Sequence, residues 1–465
     1  MGIMSRLVKF YHKFPHLIQS AIASARGVYL SSLRYGPLTD QMIEEARERE
    51  TWSIERWESR QEEQLARILH LAATQVPYYR NMWTKRRKNG DKASWEILSN
   101  WPILHKDTLR THPQEFLADA YQKQRLVKET TSGTTGTPLT LWTTQKAVRQ
   151  WYALCEARWR GWYGLSRQDR WGIFGGQMIV PFSKRRPPFW VWNAGMKQLY
   201  LSSYHLRPQN IPHYINAICK HNLVYLLGYA SSLYSLALFT LEQKLSVPSL
   251  KIVISNAEPL YPHQRKVISE VFQCPVYDTY GQSENVCAAS ECLSGNLHLW
   301  PEVGLIENMD DNEDVLLPAG KTGRLICTGF LNQAMPLIRY EVGDLGRLSK
   351  KTSCSCGRNL PILKAIEGRM DDVLLTQDGR RIGRLDLVFK ANIPIREAQI
   401  IQETINRIRV KYVPANGFNQ KHANELTPLL RDRLGDMEII LENVDSIPRT
   451  EAGKFQAVIS RLNKV

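Results

Sequence analysis

Between residues 210 and 345, short apolar runs alternate with stretches of helical character. Val224-Tyr225-Leu226-Leu227-Gly228, Lys251-Ile252-Val253-Ile254-Ser255 and Pro275-Val276-Tyr277-Asp278 are each strand-sized, with helix-sized segments between them. A chain patterned this way buries its apolar runs by laying helices over a sheet, which points to α/β layers. Residues 126–143 read as strand, polar Gly/Thr loop, strand. Residues 40–75, rich in Glu, Arg, Leu and Ala and followed by Pro77, read as helix. Residues 145–163 resume a helical period with Trp151, Leu154, Arg158 and Trp162. Turn-rich β segments fill 300–380, and the remaining C-terminal stretch suits a small α+β domain. The expected division is 1–120 for a helical arm and the start of the body, 121–370 for its core, and 371–465 for the small domain.

Composition narrows the class. The chain has 465 residues, 43% hydrophobic and 23% charged, which excludes wholesale disorder, collagen and coiled coil. The sequence has no apolar run of the roughly 18 residues that a membrane span needs. Eight Cys in so long a chain are too sparse for a disulfide scaffold and suit a reducing compartment or a metal, so a cytoplasmic protein is expected. Lys and Arg outnumber Asp and Glu by 61 to 45, a net +16 that suits nucleic acid, an anionic membrane or polyanionic small molecules. Residues 1–35 carry Arg6, Lys9, Lys13, Arg26 and Arg34, with no acid before Asp40. Their apolar stripe of Leu7, Phe10, Tyr11, Phe14, Leu17 and Ile18 has helical spacing. Such stripes more often face a core than a lipid, so packing is expected, with an anionic membrane surface as the rival partner.

The densest chemical signal is Thr130-Thr131-Ser132-Gly133-Thr134-Thr135-Gly136-Thr137-Pro138. Two glycines allow tight turns that expose N–H groups, and hydroxyls line the loop, a surface that suits phosphate oxygens. It lacks the Gly-Lys-Ser/Thr of a Walker loop, and alone it could equally be a hydrophilic hairpin. Downstream stand Asn256-Ala257-Glu258-Pro259-Leu260 and Asp278-Thr279-Tyr280-Gly281-Gln282-Ser283-Glu284. Arg339-Tyr340-Glu341-Val342-Gly343-Asp344, Glu367-Gly368-Arg369-Met370-Asp371 and Ile447-Pro448-Arg449-Thr450-Glu451-Ala452-Gly453-Lys454 complete the series.

This ordered set resembles the adenylate-forming superfamily, closest to the phenylacetate–CoA ligase branch and its capsular-polysaccharide-biosynthesis relatives. Val76-Pro77-Tyr78-Tyr79-Arg80 resembles that branch too, so the likeness spans essentially the whole chain. It implies a large N-terminal adenylate-forming domain of layered sheets and helices, and a small mobile α+β C-terminal domain. The implied activity couples a carboxylate to ATP, releases pyrophosphate, and passes the acyl group from acyl-AMP to CoA or a carrier thiol. By motif, Thr131, Ser132, Gly133, Thr134, Thr135 and Gly136 would hold the β/γ-phosphates. Asn256, Ala257 and Glu258 would wall the adenine pocket, and Asp278, Thr279 and Gly281 would join them in nucleotide binding. Tyr280 would stack on adenine, Ser283 would donate to the α-phosphate, and Glu284 would bind Mg²⁺. Asp344 would accept the ribose hydroxyls, Arg369 would contact ribose or phosphate, and Asp371 would be the hinge. Lys454 would be the catalytic lysine, bridging carboxylate and α-phosphate.

Two departures stand out. Leu139 follows Pro138 where many superfamily members have Lys, and residues 374–381 lack the pattern that supports the thiolation conformation. CoA is therefore less firmly implied than adenylation, and an enzyme that stops at an adenylylated product is the alternative. A basic zinc-containing binding protein is the third reading, ranked last because the ATP motifs are intact. Nucleic acid is not an expected partner. Cys292, His298, Cys354 and Cys356 supply a Cys₃His set for a structural Zn²⁺, with Cys287 as a rival ligand. The remaining cysteines, Cys155, Cys219, Cys274 and Cys327, are expected in the core. The acyl pocket is expected near Phe174, Gly175, Gly176, Tyr204, Gly228 and Tyr229, with Trp171 and Gln177 as further candidates. The acid itself is left open.

Overall fold

The computed structural model describes residues 10–462 except 131–138, 182, 312, 352, 370–373, 378–380, 383–392, 416, 435–436 and 451–454. Strands β1 (Val127–Thr130) and β2 (Thr140–Thr143) form an antiparallel pair either side of the Gly/Thr loop. Six strands follow in the α/β stretch: β3 (Trp171–Gly175), β4 (Trp190–Asn193), β5 (Gln198–Ser202), β6 (Tyr225–Tyr229), β7 (Ile252–Asn256) and β8 (Val276–Gly281). Six more complete the sheet: β9 (Ala288–Glu291), β10 (Leu297–Leu299), β11 (Gly304–Met309), β12 (Thr322–Gly329), β13 (Tyr340–Leu348) and β14 (Ile362–Arg369).

These twelve form one sheet in the order β11-β12-β13-β14-β10-β9-β8-β7-β6-β3-β5-β4. Strands β5, β3, β6, β7 and β8 run parallel, whereas every pairing from β8 through β9 to β11 is antiparallel, as is β4 on β5. The parallel half reads as continuous apolar runs because helices cover it: Tyr225–Gly228 and Ile252–Ser255 are buried throughout. Helices Ile211–Lys220, Ala230–Glu242 and Pro262–Phe272 make the crossovers and share a core with Phe174, Leu226 and Val253.

The antiparallel half packs on helices Ile54–Gln75 and Pro77–Lys88, with Leu69, Tyr79, Trp83, Trp101 and Tyr340 in one core. The helical stretch expected over 40–75 is there as two helices, Pro37–Arg49 and Ile54–Gln75, and Ser53 caps the second by accepting from the Arg56 N–H at 3.3 Å. The helix starting at Gln145 gives way at Cys155–Arg160 to a wider π-helical turn. That turn carries charged side chains inward, where Arg158 forks onto Glu302 at 2.9 and 2.7 Å and Arg160 meets the Tyr225 hydroxyl at 2.8 Å.

The C-terminal unit has β15 (Leu374–Leu375), β16 (Arg381–Ile382), β17 (Ile395–Thr404), β18 (Arg407–Pro414), β19 (Glu438–Asn443) and β20 (Val458–Ser460). Its four-stranded sheet, β19-β18-β17-β20, packs on helix Gln420–Leu434 through Leu426 and Leu430. It touches the body where Arg396 donates to Glu242 at 2.8 Å.

Two expectations fail. Cys219 is exposed on helix Ile211–Lys220, not in a core. The apolar stripe of the N-terminal arm packs only in part: Tyr11 and Phe14 are half-buried, but Phe10, Leu17 and Ile18 are exposed, Leu17 to 82%, while the buried residues of helix His16–Arg34 are Gln19 and Gly27, and Leu7 lies outside the described residues. The cause is the closeness of the docking surface, since a Cβ on Gly195 would stand 2.4 Å from the Val28 nitrogen. Only small side chains fit between the helix and the 193–195 turn. Gly195→Val should lever the helix off the body, so that trypsin cuts after Arg26 and Arg34 about tenfold faster while the rest of the chain stays resistant. Timed limited proteolysis with mass spectrometry checks this.

Candidate active site

A cavity of about 1310 Å³ opens where the parallel strands end. β3 delivers Phe174 and Gly175, β6 delivers Tyr229, β7 leads into Asn256–Leu260, and β8 leads into Tyr280–Asn285. The C-terminal edge of a parallel sheet is where helices peel away and leave a crevice, so sequence order alone gathers these residues. The antiparallel half supplies the facing wall with Asp344 on β13 and Lys364–Ile366 on β14.

Two polar couples face this space. The Tyr280 hydroxyl donates to Asp344 Oδ2 at 2.8 Å. Burial, and then the Asp344 carboxylate, hold the Tyr280 hydroxyl protonated by raising its pKa well above the usual 10.0. Glu284 Oε1 accepts from Lys106 Nζ at 3.1 Å and from the Tyr340 hydroxyl at 2.9 Å. Glu284 is buried, so the lysine offsets a charge that would otherwise be costly to hold there. Lys106 opens the short helix Lys106–Thr111, and sequence reasoning missed it, since its partner lies 178 residues away.

Beneath these couples the strand ends are pinned. The Asp278 N–H donates to Glu291 Oε2 at 2.7 Å, and Arg265 Nη2 donates to the same oxygen at 2.8 Å. Burial and the neighbouring Glu291 push Asp278 up to about 7, against Arg265 and the Thr279 N–H. Thr279 Oγ1 donates to the Ser255 carbonyl at 2.9 Å. Ala257 has φ +60°, a left-handed conformation that swings the chain from β7 across the cavity floor. Asn256 Oδ1 is buried in the cavity wall with no hydrogen-bond partner, an acceptor suited to a ligand N–H.

Glu258 lines the cavity but also ties the two units together. Its carboxylate accepts from the Ser231 N–H at 2.9 Å and from the Phe455 N–H at 2.7 Å, and burial raises its pKa. Thr450, Phe455 and Gln456 close the wall from the C-terminal side.

Of the sequence candidates, Asn256, Ala257, Glu258, Asp278, Thr279, Tyr280, Gly281, Ser283, Glu284 and Asp344 all line this one cavity. So do Phe174, Gly175, Gly176, Gln177 and Tyr229 from the expected acyl pocket. Trp171, Tyr204 and Gly228 do not. Trp171 stacks on Tyr225 in the core, and Tyr204 stands behind the wall, donating to the Gly176 carbonyl at 2.9 Å. Gly228 lies against β3, where a Cβ would stand 2.7 Å from the Phe174 oxygen. Thr131, Ser132, Gly133, Thr134, Thr135, Gly136, Asp371 and Lys454 fall outside the described residues, as does the Arg369 side chain; the Arg369 backbone pairs with Asp344.

Away from the cavity floor, Cys292, His298, Cys354 and Cys356 place their ligand atoms within 4.8 Å of one another. Cys287 is not in this group; its sulfur accepts from Gln282 Nε2 at 3.2 Å.

The sequence profile described as AMP-binding enzyme matches residues 97–334, just over half of the chain and the stretch that supplies most of this cavity's lining. The chain belongs to the AMP-binding enzyme family. A second profile, the CapK C-terminal domain, matches residues 374–461. Among relatives of this AMP-binding enzyme, Protein CapK of Staphylococcus aureus is 25% identical, over 97% of this chain and 99% of its own. A phenylacetate–coenzyme A ligase of Thermus thermophilus is 26% identical over 89% of this chain and 98% of its own. The fold is that of adenylate-forming enzymes: a 2-hydroxyisobutyryl-CoA ligase crystallised with an acyl-AMP superposes with TM-score 0.69 at 19% identity, over 89% of this chain and 91% of that one.

Asp278 offers a test of the cavity floor. Its folded pKa of about 7 lies above the unfolded value of 3.8, so the native state holds the proton more tightly. The stabilisation is complete below about pH 4 and is lost as the pH rises to about 7. The melting temperature of the wild type relative to Asp278→Asn should therefore fall across that window and level off above it. Differential scanning calorimetry at stepped pH reads the difference.

Proposed function

We propose that this AMP-binding enzyme activates a carboxylic acid with ATP as acyl-AMP, releasing pyrophosphate, and then transfers the acyl group to the thiol of CoA or a carrier protein. The observation that carries the reading is one cavity holding both the Tyr280–Asp344 and the Lys106–Glu284 couples, with Thr450 and Phe455 of the C-terminal unit on its wall. Its likeness to phenylacetate–coenzyme A ligases along most of the chain supports the choice of acid and thiol as substrates.

In this reading a carboxylate oxygen attacks the α-phosphorus, the bond to the bridging oxygen breaks, and pyrophosphate leaves. Asp344 accepts from ribose hydroxyls, and Asn256 Oδ1 takes an adenine amino hydrogen. Thr131, Ser132, Gly133, Thr134, Thr135 and Gly136 cradle the outer phosphates, while Ser283 donates to the α-phosphate and Arg369 adds a cation. Lys454, between Thr450 and Phe455 in sequence, stabilises the charge that builds on carboxylate and phosphate, and Asp371 serves as hinge. Leu139 leaves the loop without its usual lysine, and Lys106 is a cation on the cavity wall that can take its part. Glu284 fits Mg²⁺, since a hard carboxylate oxygen beside phosphates is the donor that ion takes. When bound, Mg²⁺ would supply positive charge to the phosphates; Lys106, paired with Glu284 at 3.1 Å, would offer its ammonium to phosphate oxygens. The apolar wall near Phe174, Gly175, Gly176 and Tyr229 receives the acyl chain.

The test is pyrophosphate exchange over a panel of aryl, hydroxy, fatty and polysaccharide-linked acids. At least one acid should drive exchange, Lys454→Ala should lower it by about a thousandfold, and CoA should then release AMP. Thiol transfer from supplied acyl-AMP should survive in Lys454→Ala. Lys106→Met should raise KM for MgATP about tenfold with a smaller effect on kcat. An inert panel, or an active Lys454→Ala, overturns the assignment.

The four-ligand cluster suits Zn²⁺. Cys292 Sγ and Cys354 Sγ are 3.7 Å apart, and Cys356 Sγ lies 3.4 Å from His298 Nε2. Thiolates bound at about 2.3 Å to a tetrahedral ion stand about 3.8 Å apart, so the spacing is right. His298 Nδ1 is bonded to the Leu360 carbonyl at 2.9 Å, which leaves Nε2 as the ligand. Purified protein should hold one zinc per chain. Its removal by chelation should lower the melting temperature by several degrees, an effect Cys356→Ser reproduces. Elemental analysis paired with calorimetry decides this, and zinc-free protein of unchanged stability refutes it.

A further inference from the structure

We propose that helix His16–Arg34 is an interfacial helix that seats this protein on an anionic lipid surface, a role beyond its adenylation chemistry. The helix is amphipathic in the reverse sense. Its inward face carries His16, Gln19, Ala23, Ser24 and Gly27, small or polar residues that suit a close backbone approach, with Leu30 half-buried beside them. His16 Nε2 donates to the Trp190 carbonyl at 2.9 Å, and Ser24 Oγ accepts from the Ala194 N–H at 3.0 Å, so the docked orientation is fixed. The outward face carries Leu17, Ile18, Ala21, Ile22, Ala25, Val28 and Tyr29, all exposed. At 100° per residue these fill an arc of about 140°, broken by Ser32 alone. Leu17 is 82%, Val28 61% and Tyr29 63% exposed, and nothing among the described residues covers them.

Charge chooses the occupant. Residues 1–39 contain no Asp or Glu, and neither do residues 170–241. These two stretches carry twelve Lys and Arg between them, against a net charge of +16 for the whole chain. They are also the ones that meet, because the helix docks on β4 and the turn after it, within residues 190–196. Lys13 and Arg26 are exposed on the arm itself, and Arg185 and Arg186 are exposed just before β4, the strand on which the helix docks. An uncovered apolar face edged by cations and free of carboxylates matches a bilayer of anionic headgroups over acyl chains. A second copy of the same surface would instead set cation against cation.

Cosedimentation of the full chain with vesicles of phosphatidylcholine, and of an equal mixture of phosphatidylcholine and phosphatidylglycerol, tests this. Binding is expected to the mixed vesicles and about tenfold weaker to the neutral ones, and to weaken from about 0.1 M to about 1 M salt as screening sets in. Leu17→Ser/Ile22→Ser/Val28→Ser should cut binding at least about tenfold with little change in melting temperature, since all three residues are exposed on the outward face. Arg185→Ala/Arg186→Ala should shift binding to lower salt. No sedimentation with mixed vesicles overturns the proposal, as does full binding by the triple-serine variant. So does a wild-type dimer in vesicle-free solution that the triple-serine variant dissolves. Pyrophosphate exchange is read separately and bears on the adenylation assignment alone.

Discussion

The change of strand direction at β8 governs the molecule. On one side β8 pairs parallel with β7; on the other it pairs antiparallel with β9. A parallel neighbour demands a helical crossover and opens a crevice at the strand end, whereas an antiparallel neighbour lets the chain turn straight back. Residues 282–285 make that return with Asn285 at φ +51°, so they have nowhere to sit but in the crevice. The antiparallel half then brings β13 across from them. Each polar couple joins the β8 end to the facing wall: Tyr280 to Asp344 across 64 residues, and Glu284 to Tyr340 across 56. The site is a consequence of joining two kinds of sheet at one strand.

That geometry explains what could be read beforehand. The parallel strands were legible because burial on both faces leaves unbroken apolar runs, as at Leu226-Leu227-Gly228 and Ile252-Val253-Ile254. Residues Asn256–Glu258 and Asp278–Glu284 were legible because each is contiguous, delivered whole by one strand end. What depends on a distant partner was not. Lys106 carries meaning only beside Glu284, and no local pattern announces that meeting. Gly228 precedes the pocket residue Tyr229 on a strand, where alternation turns neighbours away from each other, and Tyr204 sits in the helical turn Ser203–His205, which sends its ring behind the wall to the Gly176 carbonyl. Cys219 looked internal from its apolar neighbours, but a helix spreads adjacent residues around its axis.

The Cys/His cluster is not an isolated appendage to this site. Glu291, which takes the Asp278 N–H and Arg265 beneath the cavity, is followed directly by Cys292. His298 lies on β10, and β10 pairs with β14, whose residues 364–366 form part of the facing wall. A metal holding Cys292 and His298 to Cys354 and Cys356 would therefore tie the floor of the cavity to its opposite side. The cost of losing it would fall on the geometry of the cavity between them.

The N-terminal helix shows how a backbone constraint can invert a familiar pattern. Periodicity reports that apolar residues share one face; it is silent on what that face meets. Here the edge strand β4 and the turn after it approach so closely that Gly27 meets Asn193 and Gly195 meets the Val28 backbone. Large side chains cannot enter that gap, so Leu17, Ile22 and Val28 can only point outward once the helix docks. Docking covers an edge strand that would otherwise invite pairing, which is a gain, but it leaves an apolar stripe in water, which is a cost. A serine-rich outward face would have given the gain without the cost. The stripe is therefore best understood through what it meets beyond this chain, in the part of the molecule where carboxylates are missing from the sequence.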